Sequence, residues 1–384
     1  MTVMMHGAPN LPPLDPVLPR WWRTIDKWIL ATTLLLIAIG LLAVISTTPP
    51  EAMDNGVSLD FYIRKQVVFA LISIALILAL SVLSPDDARR VGTIVFLFSL
   101  VCLMLLPIFG ITQGKGAARW LSLPGLMSFQ PSEFLKPGFV VACAWLMTAK
   151  GGVYRSPGVL ITFVLTVLIA LTLVLQPDYG QASMIIFAWG VIYFVKGAPI
   201  RILTILGALT TLAGFLAFRI DSHFRGRVSS FLDGAVDPFS QVGKAIIAIH
   251  EGWLFGKGIG KGSVKMNLPD GHTDFVMAAI AEEFGLVGAL FILSLFGFIV
   301  IRALILLCRE QDIFIRTAGT GLAALFGIQA FINIGVTSNG LPAKGMTLPF
   351  ISYGGSSLVA VGIGIGLLLA FTRRRPGGDL GKLA

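Results

Sequence analysis

The sequence predicts an all-α polytopic membrane protein of about ten transmembrane helices, with both termini inside and one large extracytoplasmic loop. Three observations carry that expectation. Of 384 residues, 55% are hydrophobic and only 13% charged, where a soluble domain carries about 25% charged residues. The 29 Lys and Arg and 20 Asp and Glu cannot cover a core of that size, so lipid must cover much of the surface, and the mean hydropathy of +0.86 agrees. The apolar residues also fall in long unbroken runs, which excludes a transmembrane β-barrel, whose strands alternate over about ten residues.

In chain order, residues 1–27 are expected to form a cytoplasmic tail, since residues 1–20 are polar and Pro-rich and no cleavable signal precedes the first apolar run. The membrane domain, 28–372, holds runs near 28–47, 66–83, 91–110, 134–149, 157–175, 182–196, 201–219, 275–308, 317–336 and 355–372, and a cytoplasmic tail, 373–384, follows. All but one are near the roughly 20 residues a crossing needs. The run at 275–308 is too long for a simple crossing, so its first part is expected to enter obliquely or to line a cavity. Fifteen Lys and Arg, from Arg20 to Lys382, then fall inside, while Arg64, Lys65, Lys115, Arg119 and Lys344 fall in short outer loops, which orients both ends inward. The loop 220–273 lies outside and is long enough to cross regardless of its charge.

The net charge of +9 comes from basic residues scattered at helix ends and not from a stripe, which argues against a nucleic-acid partner. Cys102, Cys143 and Cys308 each stand alone in apolar sequence, so they read as packing residues, with no disulfide or metal spacing among them.

The unusual residues collect on the outer side. GKGIGKGS at 256–263 resembles a phosphate loop but fails as one, because Lys261 is followed by Gly262 and not by Ser or Thr; a flexible basic loop can still attract a pyrophosphate. Asp274, at the end of LPDGHTDF, reads either as a helix cap or as a functional acid. Glu282 and Glu283 lie about two turns deeper, where burying acids is expensive, and suggest proton handling. In the segment opening the fourth crossing, Glu133 and Lys136 form a capped helix with an internal ion pair, or else Lys136 faces an anionic ligand; the two readings weigh equally. Asp178 in QPDYGQ sits in a turn and could cap the next helix. Gly354-Gly355-Ser356-Ser357 would put free N–H groups and hydroxyls at an outward helix start, an anion site or a capped re-entrant turn.

Four motifs, RWLSLPGLMSFQPSEFLKP at 119–137, QPDYGQ at 176–181, LPDGHTDFVMAAIAEEFG at 268–285 and GLPAKGMTLPFISYGGSS at 340–357, give the chain its likeness. It resembles the SEDS family (shape, elongation, division and sporulation) of membrane glycosyltransferases, nearer its division branch than its elongation branch. The resemblance implies a peptidoglycan glycosyltransferase that polymerises lipid II on the outer face of the bacterial inner membrane, at the septum. It implies Asp274 as the essential acid, Glu133 and Lys136 as a substrate-binding pair, and Ser356 and Ser357 as substrate-binding hydroxyls. Chemistry adds that a base must take the proton of the acceptor hydroxyl, while Arg119, Lys136, Lys261 and Lys344 would counter the pyrophosphate charge. A divalent cation could share that task, although no ligand spacing shows one. The implied partners are a class B penicillin-binding transpeptidase and other division proteins of the membrane. Two other classes compete: a lipid II flippase, and a scaffold that activates a partner synthase without a carboxylate of its own.

Overall fold

The computed structural model describes residues 17–111, 119–122, 128–149, 157–197, 199–232, 237–342 and 345–374. Among them, the helices in chain order are α1 (Val17–Thr24), α2 (Lys27–Thr47), α3 (Pro49–Asp54), α4 (Leu59–Ser81), α5 (Pro85–Phe109), α6 (Pro131–Thr148), α7 (Pro157–Leu175), α8 (Tyr179–Val195), α9 (Ile200–Ile220), α10 (Ser222–Leu232), α11 (Gln241–Gly252), α12 (Val276–Leu307), α13 (Ile313–Thr337) and α14 (Gly355–Thr372). A 3₁₀ turn covers Lys265–Asn267. Three short antiparallel strands, β1 (Gly110–Ile111), β2 (Trp120–Ser122) and β3 (Ser128–Phe129), pair Leu121 with both Gly110 and Phe129.

Eight of these helices are long and apolar enough to cross a membrane. With α8, a shorter apolar helix, and α6, whose first turns carry Glu133 and Lys136, they account for the ten expected crossings. Their starts follow from local chemistry. Asp26 accepts the N–H groups of Trp28 and Ile29 to cap α2, Asp312 does the same for Phe314 and Ile315 at α13, and Ser84 and Asp178 cap α5 and α8. Proline occupies the first turn of α3, α5 and α6, where its missing N–H costs nothing.

The centre of the bundle is α6, α13 and α14, with α14 lying along α4 and α5 along α6. Lipid supplies no hydrophobic drive between helices, so close packing and internal polar bonds must hold the bundle. Ser73 Oγ of α4 donates to Leu358 O of α14 at 3.0 Å, and Trp189 Nε1 donates to Thr162 Oγ1 at 3.1 Å between α8 and α7. The two ends of the described chain meet: Arg374 N donates to Thr24 O at 3.0 Å, and Arg373 reaches the carbonyl of Val82 at 2.7 Å. That clasp puts both ends of the described chain at one end of the bundle. By contrast α9 is largely exposed, packing chiefly on α10 and α8.

Two expectations need refinement. The loop 220–273 is partly helical, carrying α10 and α11, and α11 packs on the first part of α12. The overlong run at 275–308 is broken at Gly285, which has φ 69° and ψ −170°. Only glycine adopts that conformation readily, and a Cβ there would fall 2.3 Å from Leu254 O. The broken helix is mended by the preceding loop: Leu286 N and Val287 N donate to the carbonyls of Trp253 and Leu254 at 2.8 and 3.1 Å. In return Lys257 N and Gly258 N donate to the carbonyls of Glu282 and Glu283 at 2.9 and 3.0 Å. The segment 276–284 is thereby set off from the long crossing, and it is this short piece that carries the Asp274 turn.

Candidate active site

Residues 268–275 form a run of turns opened by Asp270, whose φ of 54° is a left-handed conformation that Asp tolerates. Its carbonyl accepts from Thr273 N and Phe275 N at 3.1 Å, and its carboxylate accepts from Gln241 Nε2 of α11 at 3.0 Å. Three successive carbonyls are then fixed from outside. His272 O accepts from Tyr353 N at 2.9 Å, Thr273 O accepts from Ser352 Oγ, and Asp274 O accepts from Asn333 Nδ2 of α13 at 2.9 Å. The same Asn333 amide donates to Met346 O at 2.6 Å, so one buried side chain joins the Asp274 turn to the 345–354 turn. A Cβ on Gly345 would lie 2.9 Å from Asp274 Oδ2, so glycine there is what lets the carboxylate approach. Asp274 is half-buried, and the N-cap position of α12 falls to Phe275, whose side chain makes no capping bond.

Beneath this turn lies a buried polar line. Lys136 Nζ is 2.8 Å from Glu133 Oε2 and donates to Gln329 Oε1 of α13 at 3.2 Å. The carboxylate contact is chiefly coulombic, since Glu133 Oε2 lacks an aligned hydrogen bond, whereas Glu133 Oε1 accepts from Gln181 Nε2 of α8. Gln329 Nε2 continues to Thr347 O at 3.2 Å, and Thr347 Oγ1 meets Ser357 Oγ at 2.7 Å. The pair borders a small cavity of about 30 Å³ between α6, α13 and α14. Lys136 is therefore closed off from the outer surface: the geometry gives it the structural pairing, with the polar line reaching the turn that faces Asp274.

Beside Asp274, a cavity of about 40 Å³ is lined by Arg119, Asp178, Tyr179, Phe224, Arg227 and Gly345, among others. Arg119 is held over it by donating to Gln176 O at 3.1 Å and Pro177 O at 2.7 Å. Burial pushes the Asp178 carboxyl above the usual carboxylate range; the charge of Arg119 and the N–H of Gln181 oppose that rise. Tyr179 and Phe224 also line an apolar groove of about 430 Å³ between α8 and α9. Tyr179 donates to Asp221 Oδ2 at 2.9 Å across the mouth of that groove.

Of the residues singled out in the sequence, Asp274, Arg119, Glu133, Lys136, Ser356 and Ser357 all lie on the elements that converge here, with Ser356 and Ser357 buried at the start of α14. Lys344 lies outside the described residues. Lys261 does not join the group; it is exposed on the glycine-rich loop, next to Gly262, which abuts the Glu282 carboxylate. Glu282 and Glu283, which the sequence suggested for proton handling, are bound by the preceding loop. Glu282 accepts from Val264 N and Lys265 N at 2.9 and 2.8 Å, and Glu283 accepts from Gly260 N at 2.7 Å and Ser46 Oγ at 2.6 Å while pairing with Lys265. Glu282 fastens the loop to α12, and Glu283 fastens it to both α12 and α2. Among the described residues no group of three His, Cys, Asp or Glu is placed to hold a metal ion.

Sequence reading passed over Arg227, Gln181, Gln329 and Asn333. The last two had a signal, since amides four residues apart in an apolar run mark one polar face of a membrane helix. Arg227 had none, being one charge among several in a long loop.

The profile of the FtsW/RodA/SpoVE group, described as cell cycle protein, matches residues 26–376. The chain belongs to this family. FtsW/RodA/SpoVE relatives include a probable peptidoglycan glycosyltransferase FtsW of Caulobacter vibrioides, 39% identical over 93% of this chain and 91% of the relative. Another, of Saccharophagus degradans with the same description, is 34% identical over 88% and 90%. Among solved structures, a chain from work on the structural coordination of polymerization and crosslinking by a peptidoglycan synthase complex superposes with a TM-score of 0.74 at 29% identity, covering 91% of this chain and 97% of that one. Thermus thermophilus RodA, a rod shape determining protein, gives a TM-score of 0.66 at 27% identity with the same coverage. The family span takes in all four motifs, and the polytopic helical fold is the family's.

Proposed function

We propose that this FtsW/RodA/SpoVE chain is a peptidoglycan glycosyltransferase that polymerises lipid II on the outer face of the cytoplasmic membrane, with Asp274 as general base. The observation that carries the reading is the sequence of environments around Gly345. A half-buried carboxylate lies on one side, a cavity bearing Arg119 and Arg227 lies on the other, and that cavity shares Tyr179 and Phe224 with the apolar groove along α8 and α9. An amphiphile with an anionic diphosphate and a long hydrocarbon tail fits that order of surfaces. In the reaction, an acceptor hydroxyl attacks the anomeric carbon of the donor sugar, the carbon–oxygen bond to the diphosphate breaks, and the lipid diphosphate leaves. Asp274 takes the hydroxyl proton, and the guanidinium groups stabilise the charge gathering on the leaving group.

The probable glycosyltransferase names of the curated relatives support the activity, and the synthase complex supports a crosslinking partner, which we assign as a class B penicillin-binding transpeptidase acting at the division septum. The test is polymerisation of lipid II by the purified protein, with and without the transpeptidase. Asp274→Asn keeps size and most hydrogen bonding but removes basicity, so it is expected to fold, bind the partner and lose at least about a hundredfold in rate. Near wild-type polymer from folded Asp274→Asn would reduce Asp274 to a structural residue of its turn.

A further inference from the structure

The His272 imidazole is buried against Tyr62 of α4 and Tyr353 of the 345–354 turn, with ring centroids 6.3 and 5.7 Å away, and the two tyrosines meet edge-on at 5.3 Å. Its Nδ1 lies 3.8 Å from Glu51 Oε2 of α3. Glu51 accepts from Asn55 Nδ2 at 2.7 Å, and the same amide reaches the Tyr62 hydroxyl at 3.1 Å. The main chain of His272 is tied to the same place, since its carbonyl accepts from Tyr353 N at 2.9 Å. Ring and backbone together lock three elements: the α3–α4 corner, the 345–354 turn and the turn that carries Asp274 two residues later. An apolar ring would pack there without the cost of burying a polar one.

We propose that His272 is a positioning residue for Asp274: its neutral imidazole, seated between Tyr62 and Tyr353, holds the 272–274 turn so that the carboxylate faces Gly345, and uptake of a proton draws the ring to Glu51 and loosens that hold. The inference rests on the reading of Asp274 as the base. Burial pushes the imidazole below its ordinary value, while the charges of Glu51 and Asp270 oppose the shift. The groups facing it are Glu51 from α3 and Asn55 just after that helix, Tyr62 from α4, Tyr353, and Asp270 from its own turn, itself bound by Gln241 of α11. Burial pushes the Tyr353 hydroxyl up to about 12, so it stays neutral while the imidazole titrates. Because the native pKa is depressed, the hold is complete above the ordinary imidazole value of about 6.5 and is lost as pH falls through the lower native value.

The test measures initial rates of lipid II polymerisation by the full chain with its transpeptidase across the acid range. His272→Gln keeps a neutral polar side chain that cannot ionise. It is expected to lower kcat roughly 10- to 100-fold, the cost of a slightly misplaced reacting group, with KM unchanged, and to reduce the acid limb to a single ionisation. Glu51→Gln, at a carboxylate 37% exposed and away from the reacting atoms, keeps activity at neutral pH but moves the acid limb to lower pH, because the partner favouring imidazolium is gone. Wild-type kcat in His272→Gln, or an unmoved acid limb in Glu51→Gln, overturns the proposal. Asp274→Asn in the same series separates the two ideas: if it polymerises normally the base reading falls, and if it is inactive while both other variants match wild type, only the positioning of His272 falls.

Discussion

Removal of the Lys136 ammonium tests a buried ion pair at the centre of the bundle. The Glu133 and Lys136 side chains are only 5% and 3% exposed and their charges stand 2.8 Å apart. At an effective dielectric constant of about 20 that separation corresponds to roughly 6 kcal/mol of attraction. In Lys136→Met, Glu133 keeps the Gln181 bond it already has and faces Pro137, Leu322 and Phe326 around the 30 Å³ cavity. Stranding one member of a buried pair costs about 3–5 kcal/mol, so Lys136→Met and Glu133→Gln should each lose about that much. The double variant leaves no charge in the pocket and should be more stable than Lys136→Met, a non-additivity that a double-mutant cycle reads directly. Equilibrium unfolding of the detergent-solubilised protein, followed by far-UV circular dichroism, is the assay. Losses that simply add, or a Lys136→Met protein as stable as wild type yet unable to polymerise lipid II, would refute the structural pairing and put the ammonium on the substrate.

Two further outcomes are expected. An impermeant thiol reagent applied from outside should label Ser240→Cys and leave native Cys308, exposed at the opposite end of α12 from the Asp274 turn, untouched; the reverse pattern inverts the membrane orientation. Since burial raises the native pKa of Asp178, its contribution to stability falls as pH rises from the ordinary carboxylate value of about 3.9 through the raised native value. Asp178→Asn should flatten that part of the stability–pH curve, and an unchanged slope in denaturant titrations would show that Asp178 is not its source.

The crossings were legible because lipid demands the same signal everywhere, a long apolar run. The runs at 157–175 and 355–372 coincide with α7 and α14. The expectation failed at α4, which begins at Leu59 and not near residue 66, because its first turns carry Asp60, Arg64 and Lys65 and look like loop. The motifs converge at the site because they occupy neighbouring helix ends, which sequence alone suggests once a topology is chosen. What each charge does there was not legible. Glu282 and Glu283 look as chemical as Asp274 in sequence, and only the donors from Val264, Lys265 and Gly260 reveal them as fasteners. Arg227 becomes relevant only because α10 brings it beside Arg119. Such roles depend on contacts between residues far apart in the chain, which no local spacing encodes.

The pairing of α14 with α4 bears on how the protein is made. Ser73 finds Leu358, and Gln66 finds Ser352 at 3.4 Å, across separations of 285 and 286 residues. During synthesis α4 enters the bilayer when most of the chain has yet to be translated, and its buried polar side chains wait there without these partners. Closing so long a loop is a late event. Biogenesis of the bundle is therefore completed from its C-terminal end: a chain truncated before residue 355 would retain nine of its ten crossings and still present the polar stripe of α4 to lipid.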